Sequence, residues 1–307
     1  MHLDISSGHA AFQTITDLVK PFYFFGKLKQ THLKKNSSCQ RSVLSRLVDI
    51  LSSIPKSWFG HFYVVGFLVH SLILWLLIAL AKQTIVVPEV LRDISIFLHF
   101  FDTSNKVPSP GYLDQVQSFY PLLVVFVCEE VQLLRRIYEC YFVSSFSNGT
   151  ISIVHYFYGV TFYTLFGFGI LVSLPVHKFE FSDAFDSFDA FYCGLGVFGF
   201  CVASYFQHKT MQTFAALRSK EKNKPAKGHF IPEGHLFHWV SSPHYLCEIL
   251  IYLSLCLILR WKSMYLMSAT LFVLVNQISA SLSVHRWYRR TFQNFPKNRK
   301  ALVPYLL

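Results

Sequence analysis

Apolar residues along this chain gather into long, nearly unbroken runs. They do not follow the period-two or three–four spacing of half-buried soluble elements. A membrane-crossing helix needs about 20 such residues. Six stretches approach that length: 59–81, 112–134, 151–174, 188–206, 244–259 and 264–284. In the first only His61 and His70 could carry charge, and the second holds Glu129 and Glu130 in its last turns. The fifth is short. A seventh apolar stretch, 90–101, is too short to span and is expected against the bundle or in the interface. The pattern predicts an all-α, multi-pass transmembrane helical bundle with six spans.

The polar positions between the runs assign sides. Lys27, Lys29, Lys34, Lys35, Arg41, Arg46 and Lys56 precede the first run, and Arg135 and Arg136 follow the second. Lys209, Arg218, Lys220, Lys222, Lys224 and Lys227 separate the fourth from the fifth. Arg286, Arg289, Arg290, Lys297, Arg299 and Lys300 follow the sixth. If six spans alternate, all four groups fall on one side, and Asp102, Asp114, Glu180, Asp183 and Asp186 fall on the other. The positive-inside rule makes the basic side cytosolic, with both termini there. Only the turn holding Arg260 and Lys262 breaks the pattern. The sequons at Asn36 and Asn148 then face the cytosol and are expected to stay unglycosylated. Residues 1–20 contain no apolar signal-peptide core, so insertion is expected to begin at a later segment.

Composition agrees. Hydrophobic residues make up 52%, aromatics 17% and charged residues 15%, with 32 phenylalanines. Soluble domains carry about 25% charged residues. The net charge of +11 would point a soluble domain toward nucleic acid. Here the charge sits in short inter-span segments, so no nucleic-acid partner is expected. The bilayer is the partner, with anionic lipid heads or phosphate-bearing ligands at the basic side. The seven cysteines form no CxxC pair and read as small buried hydrophobes. Three units are expected: a basic cytosolic segment over 1–57, N-terminal spans over 58–206 and a C-terminal unit over 207–307. A flexible basic linker, KEKNKPAK at 220–227, lies within the third.

Several motifs carry candidate chemistry. GLGVFG at 194–199 matches the spacing of a dinucleotide-binding loop, but it lies inside an apolar run. Glycines there read as points of close helix approach. His235, His238 and His244 provide one HxxH without the repeated histidine boxes a membrane metal site requires, so no metal is expected. Glu248 falls about one turn inside the fifth run. A carboxylate at membrane depth either partners a basic residue or faces a polar ligand. Asn276 and Gln277 interrupt the sixth run as helix–helix glue or as amides facing a ligand. The aromatic and basic tail, residues 285–307, reads as an interfacial anchor or as a lid over something anionic.

PEGHLFHWVSSPHYLCEI at 232–249, the Asn276–Gln277 pair and the ending HRWYRRTFQNFPKNRKALVPYLL resemble the C-terminal region of the steroid 5-alpha-reductase family. PKSWFGHFY at 55–63, RRIYEC at 135–140 and FVSSFSN at 142–148 resemble its polyprenol reductase branch. The likeness runs from Pro55 to Leu307. It implies a seven-span architecture with a C-terminal NADPH-binding reductase domain, one helix more than the apolar pattern displays. It also implies NADPH bound from the cytosolic side and an endoplasmic reticulum membrane. The reaction implied is reduction of the alpha-isoprene double bond of a polyprenyl lipid, in the synthesis of dolichol for protein N-glycosylation. Chemistry favours the aldehyde as substrate. Hydride is a nucleophile, and only in a polyprenal is the double bond conjugated to a carbonyl that can accept the developing charge.

Carried over by motif, Arg218 is expected near the cofactor phosphates, with Gln207 and Lys209 before it. Tyr245 and Glu248 match the cofactor segment, and His244 stands where steroid-reducing relatives carry Asn. Asn276, His285 and Tyr288 match polar positions lining the nucleotide, and Arg136 and Glu139 match a charged pair. The steroid branch places a glutamate and a tyrosine near the substrate carbonyl. The aligned residues here are Phe62 and Leu133, so that donor does not transfer. His61 is the first replacement and Tyr63 the second, with Glu129, Glu130 and Gln132 across the bundle. Steroid reduction, an S-adenosylmethionine-dependent membrane methyltransferase of the isoprenylcysteine type and a non-enzymatic lipid-binding scaffold are the alternatives. The Asn276–Gln277 span and the RKALVP ending weigh against the methyltransferase. The Phe62 and Leu133 departures keep the scaffold open.

Overall fold

The computed structural model describes residues 54–82, 84, 119–146, 150–172, 185–222 and 229–306. Among these residues the chain forms six α-helices: α1 (Phe59–Ala81), α2 (Phe119–Tyr138), α3 (Ile153–Val172), α4 (Ser187–Lys222), α5 (Pro243–Ile258) and α6 (Met264–Thr291). Apolar side chains from all six meet in one core. Ile73 and Leu77 of α1, Phe126 of α2, Phe166 of α3, Phe200 of α4, Leu255 of α5 and Leu266 of α6 are buried there. Other large apolar side chains point outward, among them Leu68, Leu72, Trp75, Phe191, Phe198 and Leu271. Helices that are apolar on the outside as well as the inside belong in lipid. The helices over Lys56–Ala79, Ser187–Lys220 and Met264–Thr291 are long and apolar enough to cross a membrane, and Pro243–Ile258 is a shorter apolar helix.

The helices follow the apolar runs, with instructive differences at their ends. Helix α1 coincides with the first run, and α5 starts at Pro243, a residue suited to a first helical position. Helices α4 and α6 outrun their apolar stretches. Residues 207–222, read as part of a basic loop, continue α4 because they are rich in good helix formers (Gln, Lys, Met, Ala, Leu, Arg and Glu) with no Pro or Gly among them. The stretch 90–101, linker positions 223–227, Asn36, Asn148, Asp102, Asp114, Glu180 and Asp183 lie outside the described residues. A two-residue antiparallel pairing, Ile54 with Ile151 and Pro55 with Thr150, ties the entries of α1 and α3 together. It is too short to leave a periodic signal.

The turn between α5 and α6 resolves the exception in the charge pattern. Arg260 Nη1 lies 3.0 Å from Asp189 Oδ1 and 3.7 Å from Asp186 Oδ2, and its guanidinium sits 5.7 Å from the Tyr192 ring centroid. This cation is therefore matched locally by two carboxylates at the start of α4.

The glycine motif is where α4 meets α5. A Cβ at Gly196 would come within 2.5 Å of Ile258 Cγ1 and 2.8 Å of the Ser254 carbonyl oxygen, and one at Gly199 within 2.8 Å of Ser254 Oγ. A Cβ at Gly194 would meet nothing within 4 Å. Gly196→Val should therefore force the helices apart and cost about 1–3 kcal/mol. Gly194→Ala should be neutral or slightly stabilising. Thermal unfolding of the two variants in detergent compares them directly.

Candidate functional site

One end of the bundle collects the polar residues. Helix α2 arrives there with Arg135 and Arg136. A five-residue π-turn, Glu139–Val143, then closes with the Ser144 N–H donating to the Glu139 carbonyl at 2.6 Å. Glu139, the first residue of this turn, is fully buried. Such turns recur at functional sites because they re-aim single side chains. Arg135 and Arg136 both pair with Glu139, the latter at 2.5 Å. His208 of α4 reaches the same carboxylate, Nδ1 to Oε1, at 3.0 Å. Gln212, one turn further on α4, donates to His208 Nε2 at 3.0 Å. This leaves Nδ1 as the protonated nitrogen, donating to Glu139. Burial works to raise the Glu139 carboxyl. The charges of Arg136 and Arg135 outweigh it and hold the group below the ordinary carboxylate range.

From Arg136 the network turns to α1. Its Nη2 donates to the Tyr63 hydroxyl oxygen at 2.8 Å, and its guanidinium sits 4.9 Å from the Tyr63 ring centroid. A guanidinium accepts nothing. The Tyr63 hydroxyl hydrogen is therefore not spent on this contact and is polarised by a neighbouring cation. His61, half-buried, has its Nδ1 3.3 Å from the Tyr156 hydroxyl and stacks near Trp58. The two sequence-based donor candidates thus sit differently. Tyr63 joins the buried network and His61 joins an aromatic group at the mouth of α1.

From Arg135 the network crosses to α4 and α5. Arg135 donates to Gln132 Oε1 at 2.7 Å and to the Gln207 side-chain oxygen. Gln207 Nε2 donates in turn to Glu248 Oε2 at 2.5 Å and to the His244 carbonyl at 3.2 Å. The amide of Gln207 thus turns its oxygen to a cation and its nitrogen to a carboxylate. Glu248 bonds to an amide rather than pairing with a basic residue among the described residues. His244 packs edge-on against Phe214 and lies 3.9 Å from the Tyr245 ring. Its Nδ1 is buried without a hydrogen-bond partner, as is the Ser242 hydroxyl.

A second cluster binds the tail to the helices. Lys300 N–H donates to the Trp239 carbonyl at 2.9 Å, and the Lys300 carbonyl accepts from the Ser241 N–H at 2.8 Å and the Ser241 hydroxyl at 3.0 Å. With that single hydroxyl hydrogen committed, His285 Nδ1 donates to Ser241 Oγ at 2.7 Å. Arg299 is buried, donates to the Pro232 carbonyl at 3.1 Å and lies over the Phe295 ring. Tyr288 stacks on Phe295 with centroids 5.5 Å apart and planes 7° from parallel. The tail is therefore folded onto the segment before α5.

Among the remaining sequence-derived residues, Lys209 sits over Tyr205 and beside Gln212. Arg218, exposed and three turns beyond Gln207 on α4, donates to the Ser145 carbonyl. Asn276 is half-buried in α6. Tyr63, Arg136, Gln207, His244 and Glu248 come together directly, while Arg218, Asn276, His285 and Tyr288 lie around them on separate stretches of chain. Arg135, His208, Ser241 and Arg299 were not singled out by sequence. For His208 the signal was present as a His and a Gln four apart on a helix that outran its apolar stretch. Among the described residues no three His, Cys, Asp or Glu side chains gather as metal ligands.

Glu139→Gln should destabilise the protein by about 3–5 kcal/mol, because it leaves two buried-edge guanidiniums facing each other. The native carboxyl is held below its unfolded value, so its contribution is complete above the unfolded value. It is lost as pH falls through the folded one. Melting temperature measured from neutral to acid pH should fall less steeply in the variant.

A model of the 3-oxo-5-alpha-steroid 4-dehydrogenase family matches residues 149–307. A Xenopus tropicalis protein named polyprenal reductase is 32% identical over 303 residues, 98% of this chain and 91% of that relative. Its Danio rerio namesake is 33% identical over 263 residues, 84% of this chain and 81% of its own length. A Caenorhabditis elegans polyprenal reductase is 31% identical over 268 residues, 83% and 80% of the two chains. Both the family model and the near full-length likeness cover the α4–α6 segments that carry Gln207, Glu248, His285 and the tail, and the chain belongs to the 3-oxo-5-alpha-steroid 4-dehydrogenase family.

Proposed function

We propose that this protein is an NADPH-dependent polyprenal reductase. It saturates the alpha-isoprene double bond of a polyprenal to give dolichal, on the route from polyprenol to dolichol for protein N-glycosylation. The observation that carries this reading is the likeness to proteins of that name over nine-tenths of both chains. The reading places the bundle as a multi-pass protein of the endoplasmic reticulum membrane, with its basic end toward the cytosol. Six described helices plus one further span would complete it, and the unit over 207–307 would hold the cofactor.

The residues present suit a dinucleotide phosphate. Arg136, Gln207, His244, Tyr245 and Glu248 lie at the polar end of the bundle. Lys209 and Arg218 continue along α4, and Asn276, His285 and Tyr288 approach from α6. The buried, unpartnered Ser242 hydroxyl and His244 Nδ1 are hydrogen-bonding groups without a use in the bare protein. Buried polar atoms left so are costly unless a ligand completes them. Arg218 and Lys209 supply charge for phosphates. Bound there, NADPH supplies hydride.

The chain's own residues supply the rest. Reduction of a conjugated enal builds negative charge on the carbonyl oxygen. A preorganised donor aimed at that oxygen lowers the barrier. Tyr63, with its hydroxyl polarised by Arg136, is suited to donate there. The Arg136–Glu139 pair fixes that guanidinium. His61 is the alternative donor nearer the mouth of α1. The outward apolar faces let the polyprenyl tail remain in lipid while its head enters the bundle.

The test is saturation of a short polyprenal by detergent-solubilised protein with NADPH, followed by mass spectrometry beside polyprenol and a 3-keto-4-ene steroid. The polyprenal should be the substrate turned over. Tyr63→Phe should lower turnover by about 100-fold or more, and Arg218→Ala should raise the NADPH concentration needed. No product from protein that binds neither NADPH nor S-adenosylmethionine would leave a membrane scaffold.

A further inference from the structure

His208 has no part in the roles above, yet it grips the carboxylate on which the polar end closes. Glu139 offers two oxygens to three donors. Oε2 takes Arg136 at 2.5 Å, while Oε1 takes Arg135 and, at 3.0 Å, His208 Nδ1. The two arginines stand on α2 itself, three and four residues before Glu139. His208 stands on α4, 69 residues further along the chain. Its neighbour Gln207 takes the other limb, accepting from Arg135 and donating to Glu248. Two successive residues of α4 thus divide the network, Gln207 toward α5 and His208 toward Arg136 and Tyr63.

The imidazole is itself oriented from outside. Lys209 Nζ donates to Gln212 Oε1 at 3.4 Å, which leaves the Gln212 amide nitrogen for His208 Nε2, 3.0 Å away. An ammonium and an amide nitrogen have only hydrogens to offer, so the order of donation is fixed. Nε2 accepts, and Nδ1–H points at Glu139. On the far side Arg136 donates twice, through Nη1 to Glu139 and through Nη2 to the Tyr63 hydroxyl oxygen at 2.8 Å. Tyr63 is nearly buried. A guanidinium keeps its protons in a protein. The run from Gln212 to Tyr63 therefore holds the phenol in place and does not feed it protons.

We propose that His208 is a positioning residue for the reduction, fixing through Glu139 and Arg136 where the Tyr63 hydroxyl stands. This rests on the polyprenal reductase reading, in which Tyr63 meets the carbonyl oxygen. Without the imidazole, Arg135 still holds Gln207, so α2 and α4 stay joined. What is freed is the carboxylate. Its two remaining ion pairs among the described residues both come from its own helix. Glu139 can then turn about its own side chain, and the Arg136 guanidinium, shared between Glu139 and Tyr63, turns with it. A displacement of about 1 Å at a group that meets the transition state costs about 100-fold in rate. The effect falls on turnover rather than on binding, because His208 touches neither Arg218 nor the segment that starts α5 among the contacts it forms with Glu139 and Gln212.

The test uses the full-length protein in detergent with NADPH and a short polyprenal, comparing wild type, His208→Leu and His208→Asn. The His208 side chain is 25% exposed and Leu is a strong helix former, so the Leu variant keeps the fold. Leu has no donor. Asn carries its amide nitrogen as many bonds from the backbone as imidazole Nδ1 and keeps the bond to Glu139. His208→Leu should lower kcat by about 10- to 100-fold with the KM for NADPH unchanged, and His208→Asn should restore most of it. A readout independent of activity is the NMR signal of tyrosine labelled at the hydroxyl-bearing ring carbon, assigned to Tyr63 with Tyr63→Phe. That signal should move in the Leu variant and stay in the Asn variant. Wild-type kcat in the Leu variant, an Asn variant as slow as the Leu one, or a Tyr63 signal that the Leu variant leaves in place overturns the proposal. The reductase reading then stands on the wild-type turnover. A wild-type protein that binds NADPH but reduces no polyprenal overturns the reading itself, and the positioning role falls with it.

Discussion

Everything at the polar end depends on one buried carboxylate. Glu139 is met by two guanidiniums and an imidazole, and each of those partners extends the network in a different direction. Arg136 carries it to Tyr63 on α1, Arg135 to Gln207 on α4 and from there to Glu248 on α5. Truncating a buried partner of this kind strands the charges it matched. The helices are therefore positioned by apolar packing, but their register at this end is set by where the charges find each other. Helix geometry makes this possible, since Arg135 and Arg136 stand four and three residues before Glu139, the spacings that share one helix face.

The glycines perform the complementary task in the apolar half. Helices α4 and α5 approach so closely at Gly196 that a side chain there would meet the α5 backbone. That approach keeps Gln207, eleven residues on, within reach of His244 and Glu248. Packing in the membrane and hydrogen bonding at its edge are thus two ends of one helix contact.

Much of this was legible in the sequence, and the illegible parts share a cause. Apolar runs mark lipid-facing helices directly, so α1 and α5 lie where the pattern puts them. Helix ends beyond the membrane carry no such mark. The continuation of α4 to Lys222, with His208 and Gln212 on it, was hidden in what read as a basic loop. The close approach at Gly196 was readable because glycine in an apolar run has few other uses. The Arg260 exception was not. Its partners Asp186 and Asp189 lie about 70 positions earlier, and only the antiparallel packing of α4 and α5 brings them near. Arg136, Gln207, His244 and Glu248 were found through motif likeness, while the hydrogen bonds that join them depend on three separate helices, α2, α4 and α5.

In the proposed reading one bundle takes two unlike ligands, and the placement of charge bears on how. A dinucleotide is strongly anionic and a polyprenyl chain is apolar, so the two have to enter from different media. The polar end offers cations and, at Ser242 and His244 where α5 begins, buried hydrogen-bonding groups without a partner. The outer faces of α1 and α4 offer hydrocarbon. The groups between them, Tyr63, Glu129, Glu248 and Tyr252, are carboxyl and phenol groups rather than further cations. A cation placed that deep would hold a phosphate below the membrane edge, away from the solvent that lets it leave. The folded tail completes the separation. Ser241, His285, Arg299 and Lys300 tie it across the segment that starts α5, while the outer faces of α1 and α4 stay apolar.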